Sequence, residues 1–222
     1  MKAGVIGVVD GDFDVVGSFS DAVVEGDREL ARRLDVGRVF SLSDGTVAFE
    51  GRAAAERLVD GEAARIDSGA VAFEETTRTE TRATELAGVP GEFVVAESGA
   101  GAFAFEMVGL DTATSVERAT LDLNAFLDAQ AGATAWKAGF YGEDGNAENG
   151  VLHGEDLLAD EEFGGVLGRA RLNQLGIEGT YRDRPLKLTA ARSGYVEVYR
   201  PSDFDVGDFL EYVRDEVVPH LE

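Results

Sequence analysis

No cysteine occurs in the 222 residues of this chain. That absence excludes disulfides, thiolate metal sites and a cysteine nucleophile. Histidine is nearly as scarce, with only His153 and His220 present. One sits beside a loop-like stretch and the other is two residues from the end, so both read as incidental and exposed. Nucleophilic and general acid–base chemistry thereby loses its commonest groups. Also missing are GxSxG, HExxH, a Walker-type loop and any GxGxxG in a strand-turn-helix setting. The 43 acidic residues make some Asp–Glu pair inevitable, and therefore uninformative about catalysis. No catalytic residue, metal site or cofactor is expected. No uninterrupted apolar stretch approaches about 18 residues, so no membrane-spanning helix is expected either. The opening MKAGVIGVVDGDFDVVG runs at once into acidic residues, unlike a signal peptide. The expectation is a cytoplasmic protein with no membrane partner.

Lysine is the third scarcity. Lys2, Lys137 and Lys187 are the only three, and arginine supplies the rest of the 20 basic residues. Set against 43 acids, these leave a formal charge of −23. Such a composition resembles salt-in halophilic proteins, whose carboxylates keep a surface hydrated while strong screening limits their repulsion. The 44% hydrophobic content is enough for a substantial core. Two strand-rich halves, 1–110 and 111–222, or one continuous domain, accommodate the length.

Against this background the stretch RARLNQLGIEGTYRDRPLKLTAARSGYVEVYR, residues 169–200, is anomalous. It carries seven cations (Arg169, Arg171, Arg182, Arg184, Lys187, Arg192, Arg200) and three acids. Its alternation predicts three strands, breaking near Asp183 and at Ser193-Gly194. Elsewhere, Asp44-Gly45 between apolar runs predicts a hairpin, and AGVIGVV with FDVVGSF predicts two strands around Gly11-Asp12. The run 70–86 reads as a long strand with one wet face, and Ala133–Tyr141 as a buried strand. Helices are predicted from Asp27 (with Leu30, Ala31 and Leu34), over 52–59, over 115–129, over 155–169, and from Ser202. In the last, Val206, Phe209, Leu210, Val213 and Val217 form the apolar face. The segment 93–108 reads as a hairpin turning at Ser98–Gly101. Its order, hairpin then helix, matches 186–200 followed by the terminal helix, which suggests a duplicated unit. The fold class expected is α+β, with mainly antiparallel sheets and amphipathic helices.

Two loops invite chemistry and receive a bland reading. DGNAENGVLHGE, from Asp144 to Glu155, partly matches a calcium loop, but position six is Asn149 and a strand precedes it where a helix is needed. The glycine runs GAGAF and FGGVLG join no clear strand to a helix N-terminus, so they read as turns.

The function expected is therefore non-catalytic binding. Within one strand alternate side chains share a face, so arginine and tyrosine lie together. Such a face suits single-stranded DNA or RNA, with guanidinium groups on phosphates and rings stacked on bases. The candidate residues are Arg182, Arg184, Lys187, Arg192, Tyr195, Tyr199 and Arg200, in an accessory or regulatory factor. The alternative is a protein-interaction or self-assembly module in which the same arginines meet acidic surfaces. Where the arginines point decides between them: a solvent-facing row supports nucleic acid, whereas interdigitated Asp and Glu support pairing.

Overall fold

A computed structural model describes residues 1–14, 17–141 and 149–222. In chain order its elements begin with strands β1 (Ala3–Asp10), β2 (Phe19–Glu25), β3 (Arg28–Ser41), β4 (Val47–Asp67), β5 (Ala70–Val89) and β6 (Phe93–Ala96). Helix α1 (Phe103–Thr112), strand β7 (Ser115–Arg118) and helix α2 (Leu123–Ala129) follow. The second half holds β8 (Thr134–Tyr141), β9 (Asn149–His153), the single turn α3 (Gly164–Leu167), β10 (Arg171–Tyr181), β11 (Arg184–Ala191), β12 (Tyr195–Arg200) and α4 (Val206–Tyr212). Among the described residues all pairings are antiparallel. The sheet runs β2-β3-β4-β5-β6-β1-β12-β11-β10-β8-β9, with β7 paired to β1 off this path. The molecule is an α+β protein dominated by its sheet.

Strand β1 joins the two halves. One edge pairs with β6, from Val5/Ala96 to Val8/Phe93. The other edge is shared: Ala3–Val5 pair with β12 and Gly7–Asp10 with β7. At the junction the Ile6 N–H donates to Gly194 O, and the Ile6 carbonyl accepts from Ala119, both at 2.9 Å. Gly194 has φ +75, and a Cβ there would lie 2.5 Å from Ala119 O. Only glycine fits a site that is both left-handed and this crowded.

The helices cover opposite faces of this sheet. On one, α1 buries Ala104, Phe105, Met107 and Val108 against Val5, Leu34, Phe49, Leu86 and Val94. On the other, α2 and α4 with the π-helical turn Val213–Val217 bury Phe126, Phe209, Tyr212 and Val213 against Ile6, Phe93, Val95, Leu175, Leu188 and Val196. Alternation along β6 and β12 sends neighbouring residues to opposite faces. Because α1 covers only the first half of its face, no helix among the described residues lies on the β8–β12 part of that face.

Several expectations need correction. The Asp27 segment is strand β3, because Leu30 and Leu34 are an even number of residues apart and share a strand face as readily as a helix face. Residues 52–59 belong to β4, where pairing of 52–55 with both β3 and β5, and of 56–59 with β5, overrides alanine's helix preference. Residues 93–108 form β6 and most of α1, not a hairpin. The outer side of α1 carries exposed Leu110 and half-buried Phe103 beside Glu106, so the helix shows no clean polar stripe. Ser115–Arg118 is a strand, and the helix predicted there begins only after the cap at Asp122, which accepts from Asn124 and Ala125 N–H groups. The two segments read as a duplicated hairpin thus fold differently. Only 164–167 of the predicted 155–169 helix is helical; Leu167 is buried, while Leu158 and Phe163 are exposed. The second expected strand starts later, at Phe19, and Val15 and Val16 lie outside the described residues. The calcium-like loop also lies largely outside them.

The Asp44-Gly45 hairpin, the three strands of 171–200 and the terminal helix stand as read. The helix cap is Asp205, in a reciprocal pair with Asp208. A feature not anticipated is the reach of β4 and β5. Twelve rungs, from Glu56/Thr81 to Asp67/Ala70, extend roughly 40 Å as a two-stranded ribbon. It bears exposed Ile66, Val71 and Phe73 near its tip. No helix among the described residues is long and apolar enough to cross a membrane.

Arg214 fastens the π turn to the sheet by reaching Asp44 at 2.7 Å and Glu92 at 2.8 Å. The Asp44 carboxyl is pushed down from 3.8 to about 2 by the backbone N–H of Thr46, then the Thr46 hydroxyl and the Arg214 guanidinium. A lowered folded-state value means that this contribution to stability is complete above 3.8 and disappears as pH falls toward about 2. Asp44→Asn should therefore melt below wild type at neutral pH, with the gap closing across that acid window in thermal unfolding followed against pH. Parallel curves would exclude the linkage.

Candidate functional site

The structure divides the basic stretch into two groups facing different surroundings. Arg182 and Arg184 belong to the first. Arg182 and Asp183 form the two-residue turn between β10 and β11, both left-handed at φ 48 and 62, a type I′ geometry that normally favours Asn-Gly. Contacts with the C-terminal helix hold this strained turn. Arg182 pairs with Glu211, and with Asp215 at 2.8 Å. The Tyr181 hydroxyl donates to Asp215 at 2.6 Å, and burial followed by that carboxylate pushes the phenol far above its ordinary range. Arg184 reaches Asp203 at 2.8 Å and Asp208 at 3.4 Å. The carboxylates expected of the pairing alternative are thus present, but on this same chain and around these two residues.

The second group lies on or beside the uncovered face. β12 projects Tyr195, Glu197 and Tyr199 there while Val196 and Val198 enter the core. β11 adds Lys187 and Thr189, opposite Leu188 and Ala190. From β8 come Trp136, Lys137 and Tyr141, and from β9 His153, which pairs with Lys137 in register. A bulge between the Gly176/Lys137 and Ile177/Ala135 pairs sets Trp136 out of alternation. The indole then lies flat over Gly176, where a Cβ would sit 2.6 Å from it. Trp136 is ringed by Lys187, its Nζ 4.5 Å from the ring centroid, and by Tyr199 and His153, each with ring centroids 6.3 Å away. Arg200 is exposed and pairs in register with Lys187.

Part of this face is an open hollow of about 680 Å³ whose floor is β8, β10, β11 and β12. Lys137, Tyr141, Asn173, Arg192, Tyr195, Glu197 and Tyr199 line it. Arg192 also lines an adjoining hollow of about 310 Å³ with Arg169 and Arg171, which continues the cationic rim around the sheet edge. Its one carboxylate contact among the described residues is Glu222, at 3.7 Å. No acid among the described residues lies within ion-pairing distance of Lys137 or Arg171. Lys187, by contrast, is paired with Glu178.

Glu197 organises the two tyrosines. Its Oε2 accepts from Tyr195 at 3.2 Å and Tyr199 at 3.1 Å. Burial first, and the Glu197 charge second, push the Tyr195 phenol up to about 12, so it remains a neutral donor. Among the described residues no cluster of three or more His, Asp or Glu is placed to hold a metal ion.

Of the seven residues singled out from sequence, Lys187, Tyr195 and Tyr199 share one face, with Arg192 and Arg200 at its margins, while Arg182 and Arg184 are engaged elsewhere. Trp136, Lys137, Tyr141 and Asn173 were missed. The spacing of Lys137 and Tyr141, four apart and out of phase with Ala138 and Phe140, would have placed them on a common exposed face. Nothing in the sequence marked the bulge that exposes Trp136. A comparison with protein-family models and with curated proteins finds no match for this chain.

Arg182 and Arg184 each hold two carboxylates of the C-terminal segment. Replacing both with alanine should lower stability by about 1–2 kcal/mol, since each half-exposed ion pair contributes up to about 1 kcal/mol. Denaturant unfolding measures the loss, which should shrink as salt screens the pairs.

Proposed function

We propose that the chain is a non-catalytic binding protein whose open β8–β12 face holds single-stranded nucleic acid. The observation that carries this reading is the coincidence of aromatic rings with a cationic rim on a stretch of sheet that no helix covers among the described residues. Tyr141, Tyr195 and Tyr199 offer rings on which bases stack, an interaction worth about 1–3 kcal/mol per base and tolerant of sequence. Lys137, Arg192, Arg171 and Arg169 stand where phosphates would run. A duplex does not fit the same use, because its bases are already stacked and a flat sheet reaches them only when splayed out. Arg182 and Arg184 drop out of the interface, whereas Lys187, Arg192, Tyr195, Tyr199 and Arg200 remain. The overall charge of −23 opposes approach of a polyanion at long range. Salt screens that repulsion within about 3 Å at 1 M, which leaves contact and stacking to decide affinity.

Fluorescence anisotropy with labelled single-stranded DNA and RNA across potassium chloride concentrations tests this. Wild type should bind, Tyr141→Ala/Tyr199→Ala should bind roughly tenfold or more weakly, and Arg182→Ala/Arg184→Ala should bind as wild type. Folded wild type that binds neither polymer at any salt overturns the proposal.

One observation favours self-assembly as a second reading. The ribbon of β4 and β5 is 24 residues long beyond its last rung with β3 and carries Ile66, Val71 and Phe73 on one face, exposed by 81, 64 and 66%. A two-stranded ribbon is marginal alone in water, and its size equals the roughly 20–30 residues that one side of a stable interface contributes. A second copy laid against it would cover the apolar tip. Light scattering after gel filtration should then give twice the chain mass, reduced to the monomer by Ile66→Ser/Phe73→Ser; a monomeric wild type excludes this reading.

A further inference from the structure

We infer that the open face selects bases bearing an exocyclic amino group, with Glu197 as the selecting residue. The inference rests on the nucleic-acid reading and adds a substrate class to it. The hollow is divided electrostatically: cations sit at its rim, and acceptors without protein partners lie on its floor. Glu197 uses Oε2 for both tyrosine hydroxyls, and among the described residues no protein donor reaches Oε1. An ionised carboxylate accepts hydrogen bonds and donates none. It repels phosphate, so a strand crossing this face must place its phosphates toward Lys137 and Arg192 and turn its bases to the floor.

Asn173 supplies a second acceptor. It is the extra residue of a bulge between the Leu172/Phe140 and Gln174/Gly139 pairs, and its backbone carbonyl is held by the Arg192 N–H at 3.0 Å. Its side chain folds over Gly139, where a Cβ would lie 2.5 Å from Oδ1. That oxygen is buried and has no hydrogen-bond partner. Leaving such an acceptor dry is costly, so a donor from a ligand would be favoured there.

The aromatic side chains lie beside these acceptors. Tyr195 and Tyr199 flank Glu197 on β12, while Tyr141 and Lys137 flank Gly139, and hence Asn173, on β8. A base stacked on a tyrosine of this face therefore presents its edge to an acceptor. Cytosine N4 and adenine N6 answer with a donor, and glutamate accepting from cytosine N4 is an established pairing. Thymine and uracil present the O4 carbonyl at the position of cytosine N4, setting oxygen against carboxylate.

Oligo(dC) and oligo(dT) of equal length compare opposite groups at C4 at the same charge and ring size, and oligo(dU) in place of oligo(dT) removes the additional C5 methyl group. Anisotropy should show oligo(dC) bound roughly tenfold or more tightly, and Glu197→Gln, checked for folding by circular dichroism, should bring the ratio toward one. Oligonucleotides of N4,N4-dimethylcytidine, which lack the amino donors, should bind wild type like oligo(dT), a readout that needs no protein variant. Equal binding of oligo(dC) and oligo(dT), or tighter oligo(dT), overturns the inference and leaves the nucleic-acid reading standing. A dC preference that survives Glu197→Gln removes Glu197 as the selecting residue. No binding of any oligonucleotide overturns both.

Discussion

The divided edge of β1 is the constraint from which the rest of the architecture follows. A strand has two edges, and β1 gives one to β6 and splits the other between β12 and β7. The split welds the two halves into one sheet, with Ile6 fully buried where the partners meet. It also brings β7 to the same stretch of β1 that α1 covers, because α1 and β7 are joined by only Ala113 and Thr114, and the left-handed Ala113 reverses the chain. Helix α1 is thereby confined to the first half of its face. The chain then crosses to the other face, where α2 and later α4 pack. Bare sheet on the second half of the first face is thus a geometric consequence of how β1 is shared.

Charge is arranged around that geometry. Most arginines of the first half meet a carboxylate across or along a strand, as in Arg57 with Glu80, Arg38 with Glu50, and Arg32 with Asp21 and Glu106. Arg182, Arg184 and Arg214 do the same between the sheet and the terminal helix. Exposed pairs of this kind contribute little individually, yet they remove cations from the field that a distant anion would feel. Lys137 at the hollow and Arg169 and Arg171 at its margin are among the cations that have no carboxylate partner among the described residues, as are Arg28, Arg78, Arg82 and Arg118 elsewhere, and Arg192 has only Glu222, at 3.7 Å. A chain with a large excess of acid can therefore present a surface of opposite character over a short distance.

The parts of this fold readable from sequence are those in which one local signal dominates. Strands β11 and β12 alternate along most of their length, and the Val206, Phe209, Leu210, Val213 and Val217 expected on the apolar face of the terminal segment are all buried, with Tyr212 buried in addition. Failures arose where two periods coincide or where tertiary context prevails. Leu30 and Leu34 fit either period; the alanines of 52–59 are held extended by neighbours on both edges; and α1 alternates Phe103, Phe105 and Met107 in a way that mimics a strand. The site was half legible for the same reason. Tyr195 and Tyr199 follow from alternation alone, whereas the fate of Arg182 and Arg184 depends on acids 19 to 33 residues further on, and Trp136 and Asn173 depend on bulges.

Those bulges bear on how far the hollow is a product of folding and how far a product of selection for a surface. A regular β8 would alternate Trp136 into the core, where Ala135 and Ala138 now fit against the helices. Instead one extra residue on β8 turns the indole outward over Gly176, and one extra residue on β10 lays Asn173 over Gly139. Both glycines lack the side chain that would prevent this, although glycine within a strand is less favourable than most residues. Two irregularities, each paired with a glycine on the neighbouring strand, spend sheet regularity to place one ring and one amide on an otherwise flat face. Folding alone does not require that arrangement, since the core beneath is already complete with Leu175, Ile177 and Leu188. That arrangement is what the proposed contact with a ligand at this face would use.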